Sequence, residues 1–247
     1  MGKKYFTISF DDGTEQDRRL IELMEKYGIK GTFNISSGIF GRKTYIKRTG
    51  NSGKTAYVRD DSCPELYVNH FILSQEQAVR LYSSPNVEVA SHGTHHLVQS
   101  DLTKEEAEEE ITRDFKALSE LFGCPVAGHA FPKDTFNGNV IDALKKNGAL
   151  YARRVSRTEP KDFSFDRNEL IITPTCRHSD PFADKLLKSF INTPAENGDM
   201  VFILWGHSYE LDYGTDLASY EHIESMFRTV SAAGDIRFVT NRGLYGK

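Results

Sequence analysis

The sequence predicts an α/β fold, a distorted (β/α) barrel of seven or eight units in a single domain over residues 1–247, with an insertion at residues 36–73. Strand-like and helix-like segments alternate regularly along the chain, which is the pattern of a parallel sheet. Polar residues capable of chemistry follow several predicted strands, as expected for the active-site face of a barrel. A doubly wound open sheet is the main alternative.

Eight segments have the composition of strands. Residues 5–10 alternate in polarity and are rich in β-forming side chains, and residues 200–205 form the most apolar of these runs. The other predicted strands are 32–35, 87–90, 126–131, 149–153, 170–172 and 236–239.

Helical periodicity predicts the intervening helices. They span residues 15–27, 74–82, 103–122, 140–147, 185–190 and 217–233. The first and third of them end at Gly28 and Gly123, where a helix commonly ends in a glycine. Two others begin with capping boxes, Ser74 with Gln77 and Thr103 with Glu106.

Residues 36–73 interrupt this alternation. The segment is as long as a whole strand–helix unit, but it is polar, contains several glycines and has no strong periodicity. Long irregular segments in compact domains are commonly functional. We therefore expect an inserted loop or small hairpin beside the functional site, or a lid over it.

Composition and charge argue against several classes of protein. The formal net charge is −4 at pH 7 and no basic face is evident, so neither nucleic acid nor a membrane is expected as a partner. The three cysteines are widely spaced and suggest neither a disulfide framework nor a zinc knuckle. No apolar run resembles a signal core or a membrane span, which predicts a cytoplasmic protein.

Chemically capable side chains gather after four predicted strands. Asp11 and Asp12 follow the first strand, and residues 91–96 contain three histidines after another. His129 ends the next strand, and His207 follows the most apolar one. Because the carboxyl ends of barrel strands share one face, these four segments are expected to converge on one site.

The residue types at this face indicate a metal site. His92 and His96 are four residues apart, which brings two imidazoles together on a helical turn, although His95 offers a rival pair. Asp11 and Asp12 point in different directions, so one can bind a metal while the other faces a water. Alternatively, both acids only offset a helix dipole. One carboxylate and two imidazoles suit zinc, and also cobalt, nickel or manganese, with positions open for water and substrate.

Two further groups of polar residues each allow two interpretations. A buried strand would hold His207 rigidly as a proton donor, but a capping or core histidine is an equal alternative. His178 and Asp180 lie in a predicted loop. They either line the pocket or support a ligand, or they only form hydrogen bonds within the loop.

These motifs resemble those of the polysaccharide deacetylase family. Residues 9–13, Ser-Phe-Asp-Asp-Gly, resemble its first motif, (T/S)-F-D-D-G. The strand before His92, together with His96, resembles its second motif, with Gly93 in place of the usual serine or threonine. The resemblance runs from Tyr5 to about residue 239 apart from the insertion. It implies a distorted (β/α) barrel that hydrolyses acetyl groups on sugars with a divalent metal.

The resemblance also implies a role for individual residues. The implied metal ligands are Asp12, His92 and His96, the implied general base is Asp11, and the implied general acid is His207. A backbone N–H near Pro132 and Lys133 is implied to stabilise the oxyanion. The residues from Leu204 to His207 are one longer than the family's usual L-x-H.

The third motif departs from the family pattern. Ala130 stands where an arginine normally tethers the base. Arg153 and Arg154 end a predicted strand, and we hypothesise that one of them supplies the missing charge. Unchanged activity in alanine variants of both would refute this hypothesis.

The expected reaction is removal of an acetyl group from a small N-acetylated carbohydrate. Five aromatic residues either stack on sugar rings or only pack in the fold: Tyr45, Tyr57, Tyr67, Trp205 and Tyr209. Two alternatives stay open. One is hydrolysis of non-sugar amides or cyclic imides on the same fold, and the other is a non-catalytic carbohydrate-binding barrel, which the missing arginine motivates.

Overall fold

The computed structural model describes residues 2–49, 52–155, 162–196 and 198–246, which form a main parallel sheet, a small second sheet and six α-helices. The strands are β1 (Lys4–Asp11), β2 (Gly31–Ile35), β3 (Lys43–Thr49), β4 (Ser52–Ala56), β5 (Tyr67–Phe71), β6 (Val87–Ser91), β7 (Gly128–Ala130), β8 (Tyr151–Arg153), β9 (Ile171–Ile172), β10 (Cys176–Arg177), β11 (Met200–His207) and β12 (Ile236–Phe238). The helices are α1 (Asp17–Tyr27), α2 (Gln75–Tyr82), α3 (Lys104–Phe122), α4 (Gly138–Lys146), α5 (Ala183–Asn192) and α6 (Tyr220–Ser231). Short 3₁₀ helices lie at Pro64–Leu66, Pro132–Asp134, Ser208–Tyr213 and Arg242–Tyr245.

The main sheet is an open barrel. Its strands follow the order β10-β11-β1-β2-β6-β7-β8-β9, and β12 also pairs with β1. Every neighbouring pair in this sheet is parallel. Within the described ranges, β9 and β10 do not pair with each other, so the barrel is open between them. The predicted distorted (β/α) barrel is confirmed, as a half-barrel of eight strands with surrounding helices.

Alternation along β1 separates an apolar outer layer from a polar interior. Phe6, Ile8 and Phe10 belong to the large apolar cluster that the sheet shares with the helices. Thr7 and Ser9 both form hydrogen bonds with Asn241 inside the barrel. Because successive side chains of a strand point to opposite faces, Asp11 shares the interior face with Thr7 and Ser9.

The helix ends predicted from the sequence are present. Reciprocal capping boxes begin α2 at Ser74 and α3 at Thr103. Gly28 and Gly123 end α1 and α3 in the left-handed conformation, with φ of 67° and 66°. These caps satisfy backbone groups at the helix ends and fix the points at which the connecting loops leave.

The insertion at 36–73 forms a three-stranded antiparallel sheet. β3 pairs with both β4 and β5, so more of the segment is regular than the predicted loop or hairpin. β3 and β5 each bury two alternate residues, whereas residues 53–55 of β4 are exposed, so the sequence shows no strong apolar period here. The sheet is attached to the barrel, because Gln16 donates to the carbonyl of Asn69 and Arg48 donates to that of Tyr213.

Two strands of the main sheet differ from the prediction. β7 has only three residues of the predicted segment 126–131, and β10 was not predicted at all. A strand of two residues is too short to show any period in the sequence.

The cysteines form no disulfide in the described part of the chain. Cys63, Cys124 and Cys176 are free thiols, and only Cys176 is buried. Across the described ranges, no helix is both long and apolar enough to cross a membrane.

Candidate active site

The strand registers bring the predicted site residues to one edge of the barrel. Asp11 of β1 lies in register with Asn34 of β2 and with His207 of β11. Ala130 of β7 lies in register with Arg153 of β8. All five positions are at the carboxyl ends of parallel strands, where a cavity of about 660 Å³ opens. This volume suits a small-molecule ligand.

Most of the predicted residues line this cavity. They are Asp11, Asp12, His92, His96, Lys133, Trp205, His207 and Tyr209. Pro132 is buried in the 3₁₀ helix that follows β7, and Arg153 is buried next to Asp11. Part of the cavity wall comes from the insertion, through Arg42, Thr44, Ile46, Thr55, Tyr57 and His70.

Asp12, His92 and His96 form the one cluster of metal-binding geometry in the described part of the chain. Their ligand atoms all lie within 4.8 Å of one another. Nε2 of His92 lies 3.7 Å from Oδ1 of Asp12, and Nε2 of His96 lies 3.5 Å from the same oxygen. These distances are too long for good hydrogen bonds but suit three ligands around one ion.

The hydrogen bonds and charges around these three residues also suit a metal. Nδ1 of His92 donates to the carbonyl of Ala130 at 2.8 Å, so Nε2 is the ring nitrogen that faces Asp12. Burial and the neighbouring His92 lower the pKa of His96 to about 4, which leaves its ring neutral at pH 7. Burial alone would raise the pKa of Asp12, but a hydrogen bond from His70 and the nearby imidazoles of His207 and His96 hold that pKa well below its usual value. A divalent cation requires unprotonated imidazoles and ionised carboxylates as ligands, as the pKa shifts of His96 and Asp12 favour.

The two imidazoles meet for a reason other than the predicted helical turn. The segment after β6 is not helical, and Gly93 and His96 adopt left-handed conformations with φ of 76° and 57°. His95 is turned away, with Nδ1 2.9 Å from the carboxylate of buried Glu110. The pair four residues apart therefore faces Asp12, and the rival His95 does not.

Buried Arg153 holds the carboxylate of Asp11. Nη2 of Arg153 donates to Oδ1 and Oδ2 of Asp11 at 2.6 and 2.5 Å, and Asn34 donates to Oδ1 at 2.8 Å. Arg154 instead pairs with Asp134 at 3.5 Å and is 44% exposed. Of the two arginines that the sequence left open, Arg153 is thus the one in contact with Asp11.

His207 is paired with a carboxylate that the sequence did not reveal. Its Nδ1 lies 2.8 Å from Oε1 of buried Glu210, whose other oxygen lies 2.9 Å from Nε2 of His178. Arg177 also pairs with Glu210. Burial alone would lower the pKa of His207, but the carboxylate of Glu210 raises it to about 9. The ring is therefore protonated at pH 7 and can donate a proton.

The extra residue before His207 has a packing reason. A Cβ on Gly206 would approach the ring of His178 to 2.2 Å, so only glycine lets that ring lie against β11. His178 thus contacts the oxygen of Glu210 that does not face His207. Asp180 has a local contact, because it accepts a hydrogen bond from the backbone N–H of Arg177 at 2.8 Å.

Three of the five aromatic candidates lie at the cavity. Trp205 and Tyr209 are largely buried in its wall, and Tyr57 of the insertion is 81% exposed there. Tyr45 instead packs on Phe71 with ring centroids 5.5 Å apart. Tyr67 lies under the amine of a lysine on β3.

The turn after β7 offers a backbone donor. Lys133 and Asp134 have φ of 55° and 58°, which is uncommon for residues other than glycine and concentrates at functional sites. Lys133 also lines the cavity. This turn is the one for which the resemblance implied an oxyanion donor.

Glu210 and His70 are the functional candidates that sequence reasoning missed. Glu210 follows His207 by three residues, a spacing at which side chains meet on a helical turn. This spacing could have identified Glu210 from the sequence. His70 lies in the insertion, 3.0 Å from Asp12, and nothing local marks it.

Together, the half-barrel and the polar cluster at its strand ends define a (β/α) barrel with a candidate metal site at the carboxyl ends of its strands. The family model for polysaccharide deacetylase matches residues 1–152, and the chain belongs to this family. Membership supports deacetylation of sugars in general. No curated protein sequence matches the chain.

Solved structures share the fold at low sequence identity. A candidate polysaccharide deacetylase from Mycobacterium smegmatis superimposes with a TM-score of 0.63 and 16% identity, over 100% of this chain and 90% of that one. A family 4 acetyl xylan esterase from Clostridium thermocellum, in complex with a cobalt ion, superimposes with a TM-score of 0.56 and 14% identity. The match covers 98% of this chain and 90% of that one. A CE4 family pseudoenzyme from Bacillus anthracis has a TM-score of 0.58 and 13% identity, with 98% of this chain covering 66% of that protein. The fold alone therefore does not separate enzymes from pseudoenzymes.

Proposed function

We propose that this protein is a metal-dependent hydrolase that removes the acetyl group from an N-acetylated sugar or small oligosaccharide. The observation that carries the proposal is a complete set of groups in one cavity. Asp12, His92 and His96 can hold an ion, Asp11 is an anchored carboxylate, and His207 is a protonated imidazole in register with Asp11. We further propose that residues 1–247 work as one unit, with the insertion as part of the active-site wall.

The proposed metal is zinc, and the same ligands also suit cobalt, nickel or manganese. A divalent metal held by Asp12, His92 and His96 supplies a Lewis acid for the acetyl carbonyl and lowers the pKa of the attacking water. The contact between His92 and the carbonyl of Ala130 keeps that ring in the tautomer that can bind.

Residues of the chain perform the proton transfers. Asp11 takes a proton from the attacking water as general base, while Arg153 and Asn34 keep its carboxylate in place. The backbone N–H of Lys133 is proposed to stabilise the developing oxyanion. His207 protonates the departing nitrogen as general acid, so that the amine leaves neutral. Arg153 supplies the charge that the third motif lacks at Ala130, which removes the main motive for a non-catalytic barrel.

The pairing of His207 with Glu210 predicts the alkaline limb of the pH profile. A general acid works only while protonated, so kcat/KM should fall as the pH rises through the His207 pKa of about 9. In Glu210→Gln the imidazolium loses its carboxylate, and the pKa should fall toward the ordinary value of 6.5. The alkaline limb is therefore expected to move to lower pH, with a smaller loss of activity at pH 6 than at pH 8. Identical alkaline limbs in the two proteins would contradict this role of Glu210.

A substrate panel tests the proposed reaction. Purified protein reconstituted with zinc is incubated with N-acetylated monosaccharides, N-acetylglucosamine oligomers, simple N-acetyl amides and cyclic imides. Acetate release from the sugars, lowered by about 10²–10⁴-fold in Asp11→Asn, is the expected result. Ring opening of imides without acetate release would replace the proposal with the non-sugar hydrolase. Sugar binding without turnover of any compound would favour a carbohydrate-binding barrel.

A further inference from the structure

The inserted sheet places a histidine against the proposed metal-binding aspartate. His70 of β5 is buried, and its Nε2 lies 3.0 Å from Oδ2 of Asp12. The other oxygen, Oδ1, faces the imidazoles of His92 and His96. Because an ionised carboxylate only accepts hydrogen bonds, Nε2 of His70 carries the hydrogen. The two oxygens of Asp12 therefore have separate partners.

His70 is itself fixed from two directions. Thr44 of β3 lies opposite it in the antiparallel register, with Oγ1 2.9 Å from Nδ1 of the ring. A threonine hydroxyl can donate or accept, and Oγ1 of Thr44 also lies 3.3 Å from the backbone carbonyl of His70. The ring also packs edge-on against Tyr209, with centroids 4.9 Å apart. Contacts from the insertion and from a residue after β11 thus fix the position of the His70 ring.

Asp12 is a residue for which such support matters. Its φ of 78° lies in the left-handed region, which is uncommon for residues other than glycine. Its carboxylate has to present one oxygen to two imidazoles while lying in a buried environment. Hydrogen bonds from outside the ligand set orient metal ligands, and their loss typically lowers metal affinity about 10–100-fold.

We propose that His70 is a positioning residue of the metal site, which holds Asp12 through Oδ2 so that Oδ1 is directed to the metal. The insertion at 36–73 is then part of the metal centre as well as of the cavity wall. This inference rests on the metal site of the proposed function, but it concerns affinity for the ion and not the identity of the substrate.

The test measures metal affinity in matched variants. Apo protein is titrated with Zn²⁺ in competition with a chromophoric chelator, for wild type, His70→Phe, His70→Gln and Thr44→Val. Phenylalanine keeps the ring but removes the donor, and we expect Zn²⁺ to bind about 10–100-fold more weakly. Glutamine retains an N–H donor and should restore most of the affinity, and valine at position 44 should give a smaller loss. The visible absorption of bound Co²⁺ should change in His70→Phe, because the position of a ligand has changed.

His222→Phe is the matched control, because His222 also pairs with a carboxylate, 3.2 Å from Asp184, away from the cavity. Its Zn²⁺ affinity should equal that of wild type. Melting temperatures of the apo proteins separate loss of folding from loss of affinity, and His70→Gln and Thr44→Val provide the test if His70→Phe does not fold. Equal or tighter Zn²⁺ binding by folded His70→Phe would overturn the role of His70. Failure of wild type to bind Zn²⁺ would instead refute the metal site itself.

Discussion

Arg153→Met is expected to lower the free energy of unfolding by about 3–5 kcal/mol, because it leaves the buried carboxylate of Asp11 without its cation. Arg153 is fully buried, and both oxygens of Asp11 accept from its Nη2. Methionine has a similar length and fills much of the space, so the expected cost arises chiefly from the unpaired charge. Urea unfolding monitored by circular dichroism measures the change. Deacetylase activity should fall as well, because the proposed base loses the group that orients it.

Two further variants make this result specific. Arg154→Met removes the neighbouring arginine, whose ion pair with Asp134 is partly exposed, and should cost less than about 1 kcal/mol. Arg153→Met combined with Asp11→Asn removes both charges, so much of the lost stability should return while activity stays low. If Arg153→Met were no more destabilising than Arg154→Met, the buried ion pair would not have the role assigned to it.

His207→Gln is expected to lower kcat for an N-acetylated sugar by about 10²–10⁴-fold, while the bound metal stays near wild-type content. The amine of an amide must be protonated to leave, and His207 is the protonated group that lies in register with Asp11. An activated ester such as p-nitrophenyl acetate has a leaving group that needs no proton. The loss on this ester should therefore be much smaller than the loss on the amide, in parallel assays of both substrates.

This comparison distinguishes proton donation from a structural effect. A variant that only disturbed the cavity would lose activity on the amide and the ester alike. Equal losses on both substrates would therefore contradict the assignment of His207 as general acid.

Local signals in the sequence were sufficient for much of the fold. The capping boxes at Ser74 and Thr103 and the left-handed glycines at positions 28 and 123 depend on neighbouring residues only, and the structure contains all of them. The three strands of the insertion were not predicted because β3 and β5 bury only two residues each and residues 53–55 of β4 are exposed. β10 was missed because two residues show no period, and its pairing with β11 depends on residues far along the chain.

The residues of the candidate site also divide into those that local motifs identify and those that depend on long-range contacts. Asp11, Asp12, His92 and His96 stand in short motifs at strand ends, so sequence was enough to bring them to attention. The choice of Arg153 over Arg154 depends on which side chain points into the barrel, and the sequence offered no means of deciding. His70 reaches Asp12 only because the insertion folds back onto the barrel, a contact between residues 58 positions apart. Long-range contacts of this kind leave no local pattern.

Elemental analysis combined with an acetate assay tests most directly whether Asp12, His92 and His96 hold a catalytic metal. Wild type and His92→Ala are reconstituted with zinc, desalted, analysed for bound metal, and assayed with N-acetylglucosamine oligomers. We expect about one metal per wild-type chain, and loss of both metal and acetate release in a folded His92→Ala protein. Acetate release by metal-free wild type, or full metal content and activity in His92→Ala, would contradict it.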